Sequence, residues 1–248
     1  MKKVFVFMAI AAMMCLAACN KDDNGKKDRK GGSDYEAPIK IDGQFDDWAA
    51  LDATKVASAT CAEDAAWEAL KKVKVYADAY FVYIYFEWDT ELIEWRNDPN
   101  ATEDEDNSEW VPFHIYVNAD GDKTTGGFSD QWTTGCTDFL YEGFLTDGNN
   151  IASYDPGAFL WAGEAGAEGW TWEAAIGSGN NLCKGAGVNG KYEIVLIRQL
   201  APVAIADNFS IGFDIQQAWD SVGVLPNAAV SDDNSAGKAE MLDVVTDK

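Results

Sequence analysis

The stretch Lys74–Trp88 reads KVYADAYFVYIYFEW and places the tightest limit on the fold. On either side of Asp78-Ala79, β-branched and aromatic residues alternate with a period of two, the repeat at which strand side chains point to opposite faces. A helix would scatter the same residues around its circumference, so a hairpin of two strands is expected here. Val111–Asn118 (VPFHIYVN) repeats the pattern, with Phe113, Ile115 and Val117 on one face and His114 and Tyr116 on the other. Thr137–Leu145, Trp170–Ile176, Tyr192–Arg198 and Phe209–Gln216 read as further strands, separated by Gly-, Asn- and Asp-rich turns. Short strands between long polar loops predict a mainly β fold, an antiparallel β-sandwich with loops gathered at its ends. One short helix is expected at Ala62–Lys72 (AEDAAWEALKK), which is rich in helix formers and carries Ala66, Leu70 and Val73 at helical spacing.

The amino terminus has a different logic. Lys2 and Lys3 precede an apolar run from Val4 to Leu16 that is too short to span a bilayer, and small residues then lead into Cys19. This layout predicts a signal peptide over residues 1–18. The Leu16-Ala17-Ala18-Cys19 ending resembles the lipobox of bacterial lipoproteins, which implies lipidation of Cys19 as the mature N-terminus. Asn20-Lys21-Asp22-Asp23 is similar to the export signal of surface lipoproteins in the Bacteroidetes. The resemblance implies a protein of the outer membrane, lipid-anchored and facing outside. Residues 19–37 are polar and nearly free of apolar side chains, so they cannot fold on a core and are expected to be a flexible tether. Eighteen such residues reach about 23 Å. Residues 38–248 are expected to form a single domain.

Of 248 residues, 42 are acidic and 19 basic, a formal charge of −23. Such a chain is repelled by nucleic acid and by anionic headgroups, which excludes both as expected partners and leaves membrane contact to the lipid anchor alone. The acidity leaves many carboxylates free for divalent cations. Cys61, Cys136 and Cys183 remain once Cys15 leaves with the leader and Cys19 takes lipid, and spacing does not choose among three possible disulfides or free thiols. With one histidine and no Cys-x-x-Cys, a Cys/His zinc site is not expected.

Two groups of residues are candidates for binding chemistry. Asn118, Asp120, Asp122 and Thr124 place oxygens at alternate positions around Gly121, with Asp130 near the twelfth place where a calcium loop carries its bidentate acid. Calcium is the candidate cofactor; a plain Asp-Gly hairpin turn is the alternative. The second group is aromatic. An indole in a polar loop needs a reason to be exposed, which marks Trp95, Trp132 and Trp161. Trp170 shares a strand face with Trp172 and can face core or solvent, whereas Trp48 reads as a core anchor. The run Asp98–Glu109 reads as a solvated acidic loop.

Four segments, in order, resemble the family 9 carbohydrate-binding modules and their DOMON-like relatives. They are Ile41-Asp42-Gly43-Gln44-Phe45-Asp46-Asp47-Trp48, the hairpin Val73–Asp89, the strand Phe113–Asp120, and Gly169–Ile176 with its Glu173; Phe209–Ile215 is similar to the final strand. The resemblance implies the sandwich, calcium sites, and a carbohydrate ligand held by aromatics such as Trp95, Trp132, Trp161 and Trp170 with Glu173. The paired tryptophans that clamp sugar in the family do not align onto particular positions here. The haem of DOMON relatives would have only His114 and Met241 as an axial pair.

No Gly-x-Ser-x-Gly, phosphate loop or His-Glu-x-x-His occurs, so an enzyme is not expected, although a pair of carboxylates for glycoside hydrolysis cannot be picked out by counting. The expected function is non-catalytic capture of a poly- or oligosaccharide, handed to neighbouring surface glycan-uptake proteins. The alternatives are a protein-binding adhesion or assembly module and a glycoside-active enzyme.

Overall fold

The computed structural model describes residues 35–89, 91–92, 111–145, 154–163, 169, 175–217 and 219–248. Pro38–Lys248 forms one compact unit. Two antiparallel sheets make it up. The first contains β1 (Ala57–Thr60), β2 (Leu70–Ala77), β3 (Phe81–Trp88), β7 (Cys183–Val188) and β8 (Lys191–Ile197), in the order β1-β2-β3-β8-β7. The second contains β4 (Val111–Asn118), β5 (Phe139–Leu145), β6 (Gly157–Leu160), β9 (Asn208–Gln217) and β10 (Asp220–Leu225), in the order β10-β9-β4-β5-β6. A last strand, β11 (Leu242–Val245), pairs with the start of β9, next to β10 along the same edge. The fold is therefore the mainly β antiparallel sandwich that the alternating segments imply.

The period-two pattern explains the main core. Val73 and Val75 of β2, Ile84 and Phe86 of β3, and Ile194 and Leu196 of β8 point inward from one sheet. Phe113, Ile115, Tyr141, Phe213 and Ile215 point inward from the other. Phe86 stacks on Phe113 with ring centroids 4.5 Å apart, joining the two layers. What alternation does not show is that the outer faces are covered as well. On the first sheet, Tyr76, Tyr83 and Tyr85 are buried under Ile39, Ile41 and Trp48. On the second, Tyr116 and Leu140 are buried under Trp132, Cys136 and Met241. Every residue of β4 is consequently buried.

The expected helix at Ala62–Lys72 does not form. The segment before Leu70 is irregular, with Asp64 at φ +59° and bridges from Ala65 to Ala229 and from Glu68 to Gly223. Asn227 takes the Ala62 N–H on its Oδ1 at 2.9 Å and donates to the Trp67 carbonyl at 3.2 Å. From Leu70 the chain is already strand, paired with Trp88. Helix propensity amounts to a few tenths of a kcal/mol per residue, and burying Ala69, Leu70 and Val73 between sheets outweighs it. The short helix of the structure, α1 (Asp47–Ala50), is one turn long and carries Trp48. Among the described residues no helix is long and apolar enough to cross a membrane.

The Ile41-Asp42-Gly43…Trp48 motif has a physical role. Glu193 on β8 is fully buried and accepts the Asp42 and Gly43 N–H groups on Oε1, both at 2.9 Å, and the Trp48 indole N–H on Oε2 at 3.2 Å. Burial raises its carboxyl above the usual range, and the three donors hold it down. Trp48 is thus a core anchor, clamped by a carboxylate on the sheet that it covers. At the opposite edge of β8, the guanidinium of Arg198 donates to the carbonyls of Asp78, Ile205 and Ala206. That contact ties the β2–β3 turn to the loop before β9.

Candidate functional site

The outer face of the second sheet carries a row of polar side chains that the fold does not need for its core. His114 of β4 stands directly between Glu142 of β5 and Asp214 of β9 in the strand register. Gln216 follows two residues after Asp214 on the same face, opposite Ser221 of β10. Each of these positions interrupts an apolar strand at the period of two, so alternation itself turns them away from the core.

Asp214 is 0% exposed, and its hydrogen bonds are one-sided. Oδ2 accepts from Gln216 Nε2 at 2.7 Å, Ser221 Oγ at 2.9 Å and Gln131 Nε2 at 3.1 Å. Oδ1 finds no partner among the described residues, and neither does Gln216 Oε1. Gln216 Nε2 also lies 3.3 Å from His114 Nδ1. On the other side of the ring, His114 Nε2 is 3.2 Å from Glu142 Oε2, within ion-pair distance but off the hydrogen-bond direction. Burial pushes the Asp214 carboxyl up to about 6, against the pull of His114 and the three donors.

Trp219 lies over this row. It occupies the two-residue turn between Gln217 and Asp220, is 54% exposed, and has φ +70°. A left-handed backbone costs a residue with a β-carbon about 1–2 kcal/mol. Its ring sits 6.3 Å from that of His114 and 5.7 Å, edge-on, from that of Phe144. Strain, exposure of an indole and unpaired buried acceptors thus meet at one place. The Glu142 side chain, 22% exposed, forms the rim beside it.

The residues expected to bind fall elsewhere. Trp132 is a correction: it is 0% exposed, packed against Tyr116, with its indole N–H on the Pro226 carbonyl at 3.2 Å. Its ring lies where a β-carbon on Gly212 would go, so the tryptophan is a wedge between β9 and the segment after β10 and no stacking platform. Trp161 is half-buried, its ring against Gly127 and Gly163 and its backbone N–H on the Asp138 carbonyl at 2.9 Å. Trp95, Trp170, Glu173 and Cys19 lie outside the described residues, as does the acidic run Asp98–Glu109.

The expected calcium ligands are turned onto their own backbone. Asn118 is fully buried and takes the Gly121 N–H at 3.0 Å; Asp120 takes the Asp122 N–H at 2.7 Å. Asp122 takes both the N–H and the hydroxyl of Thr124, which hold its carboxyl below the usual range. Asp130 is exposed, in the turn before Trp132. Among the described residues no three His, Cys, Asp or Glu side chains are grouped to hold a metal ion, the Glu142–His114–Asp214 row included. Met241 has its sulfur against Cys136 and Thr137 in the Trp132 cluster. Cys61, Cys136 and Cys183 are free thiols.

A concavity of about 300 Å³ opens on the first sheet, lined by apolar residues around Trp48 together with Ser58 and Lys74. Only Ser58 and Lys74 bring side-chain polar groups not already engaged in the Trp48 clamp, so it lacks the convergent chemistry of the Trp219 face.

No family model matches the chain, and no curated protein does. Among solved structures, a family 9 carbohydrate-binding module from Caldicellulosiruptor kristjanssonii in complex with cellotriose is similar, at 15% identity and a TM-score of 0.38. The match covers 86% of this chain and 90% of that one. A superposition this loose leaves function to the chain's own side chains.

Trp219, His114, Glu142, Asp214 and Gln216 are the residues that sequence reasoning passed over as a site. The available signal was local: FDIQQ and VPFHIYVN each place a charged or polar residue among apolar strand neighbours, and Trp219 sits in a tight turn. Their meeting across three strands was not legible.

Proposed function

We propose that the chain is a non-catalytic carbohydrate-binding sandwich whose ligand lies across Trp219 and the Glu142–His114–Asp214 row. The observation that carries this reading is the exposed Trp219, held in a strained turn above buried acceptors without partners. Sugar rings present C–H faces that pack on an indole and hydroxyls that donate to carboxylates and amides, which is the complement of this surface. The lipobox-like Cys19 and the polar tether would display the domain outside an outer membrane, where captured saccharide passes to uptake machinery.

Affinity electrophoresis through immobilised polysaccharides tests the binding. Retardation on at least one neutral or basic glycan, abolished in Trp219→Ala with the melting temperature unchanged, is the expected result. Passage through every gel at the same rate as an inert protein overturns it. Replacing Cys19 with Ala is expected to release the protein from membranes.

One observation favours a second reading. A carboxyl raised to about 6 beside another acid is how a glycosidase holds its general acid. Against it, the scissile bond must pass between the two carboxyls, and here the His114 ring fills that gap. Reducing-end release from the retained glycan, lost in Asp214→Asn, would decide for the enzyme.

A further inference from the structure

The charge at the Trp219 face is unbalanced. Asp214 and Glu142 flank a single imidazole, so acids outnumber the one base of the row two to one. Neither acid forms an ion pair with lysine or arginine among the described residues. The open hydrogen-bonding positions on Asp214 and Gln216, both more than nine-tenths buried, are acceptors, Oδ1 and Oε1. Buried charge of this kind is costly until something pairs with it. The grouping does not suit a metal ion, which needs its ligands to converge. Above it lies an indole face, which attracts cations as well as C–H groups.

Resting on the carbohydrate reading above, we propose that the preferred ligand is an amino sugar with a free amine, whose ammonium sits between Trp219 and the Glu142 carboxylate, near the buried Asp214. The ring of such a sugar packs on the indole while the ammonium donates to Glu142, the partly exposed acid of the row, with the buried Asp214 behind it. Uronic and sulfated glycans are excluded twice, by these acids and by the −23 charge of the chain.

Titration calorimetry of the purified full chain with three trimers near neutral pH tests the assignment: a glucosamine trimer, its N-acetylated form and cellotriose. The glucosamine trimer is expected to bind about ten- to hundredfold more tightly than either neutral trimer, and more weakly as salt rises. Glu142→Gln and Asp214→Asn should each erase most of that preference, while Glu91→Gln, an exposed acid removed elsewhere, should keep it. Equal affinity for all three trimers overturns the amine inference and leaves the carbohydrate reading standing. Binding of none overturns the amine inference, and the carbohydrate reading falls with it only if every polysaccharide gel also fails to retard the protein. If spermidine binds as well as the glucosamine trimer, or if the preference survives Trp219→Ala, the attraction is bulk charge and the amino-sugar site is refuted.

Discussion

Two buried carboxylates face outward from the two sheets; one has a tryptophan bonded to it, and a tryptophan lies against the histidine beside the other. Glu193 has both oxygens occupied, two backbone N–H groups on one and the Trp48 indole on the other, and Trp48 is buried. Asp214 has three donors on one oxygen and none among the described residues on the other, and Trp219 is turned to solvent. The same pair of residue types makes a closed clamp in one place and an open surface in the other. The difference lies in what covers them. The chain from Ile39 to Trp48 folds over β8, supplying donors, whereas the β9–β10 turn is two residues long and holds its indole up by a left-handed backbone. A carboxylate satisfied on both oxygens adds to the fold; one left half-satisfied is a buried cost.

The largest expected effect breaks the clamp. Glu193→Ala leaves three donors unpaired and Trp48→Ala empties the cover, so each should cost about 3–5 kcal/mol in urea unfolding. A loss under about 1 kcal/mol for both would mean that the N-terminal segment is not held there.

Asp214→Asn should act in the opposite direction. Its folded carboxyl sits near 6, above the ordinary value of 3.8, so the folded state favours the protonated form. The stability this group lends is fully present below the ordinary value and is lost as pH rises to about 6. Asparagine removes that loss, so the variant should gain up to about 3 kcal/mol at pH 7 and nothing near pH 3. Destabilisation at pH 7 would make the row a second clamp.

Trp219→Gly relieves the left-handed strain and loses little burial, so unfolding should move by about 1 kcal/mol or less, toward stability, while glycan retardation disappears. A fall comparable to Trp48→Ala would show that Trp219 is structural. The smallest effect concerns the 118–124 loop. Its oxygens already accept from their own chain, so EDTA is expected to leave the melting temperature unchanged, and a calcium-dependent rise of several degrees would show that the loop opens to hold metal.

Trp132 and Trp219 show where sequence reasoning reached its end. Both stand in short polar surroundings, and the rule that a loop indole is exposed for a reason singled out Trp132. Its burial depends on the Pro226 carbonyl, on Tyr116 and on the absence of a side chain at Gly212, from three separate parts of the chain. The helix expected at Ala62–Lys72 failed for the same reason: its partners, Gly223, Asn227 and Ala229, lie more than 150 positions away.

What the sequence by itself determined was local. A period of two, written in β-branched and aromatic residues, dictates strands; Asp78-Ala79 dictates the hairpin; and enough of these segments in one acidic chain dictate a sandwich. Which outer face is covered and which stays open was decided only by tertiary structure. Side-chain alternation assigns each residue to one of two sides, but solvent reaches a side only where no distant segment has been laid over it. Glu142, His114 and Asp214, spread over 100 positions, became neighbours through strand pairing alone.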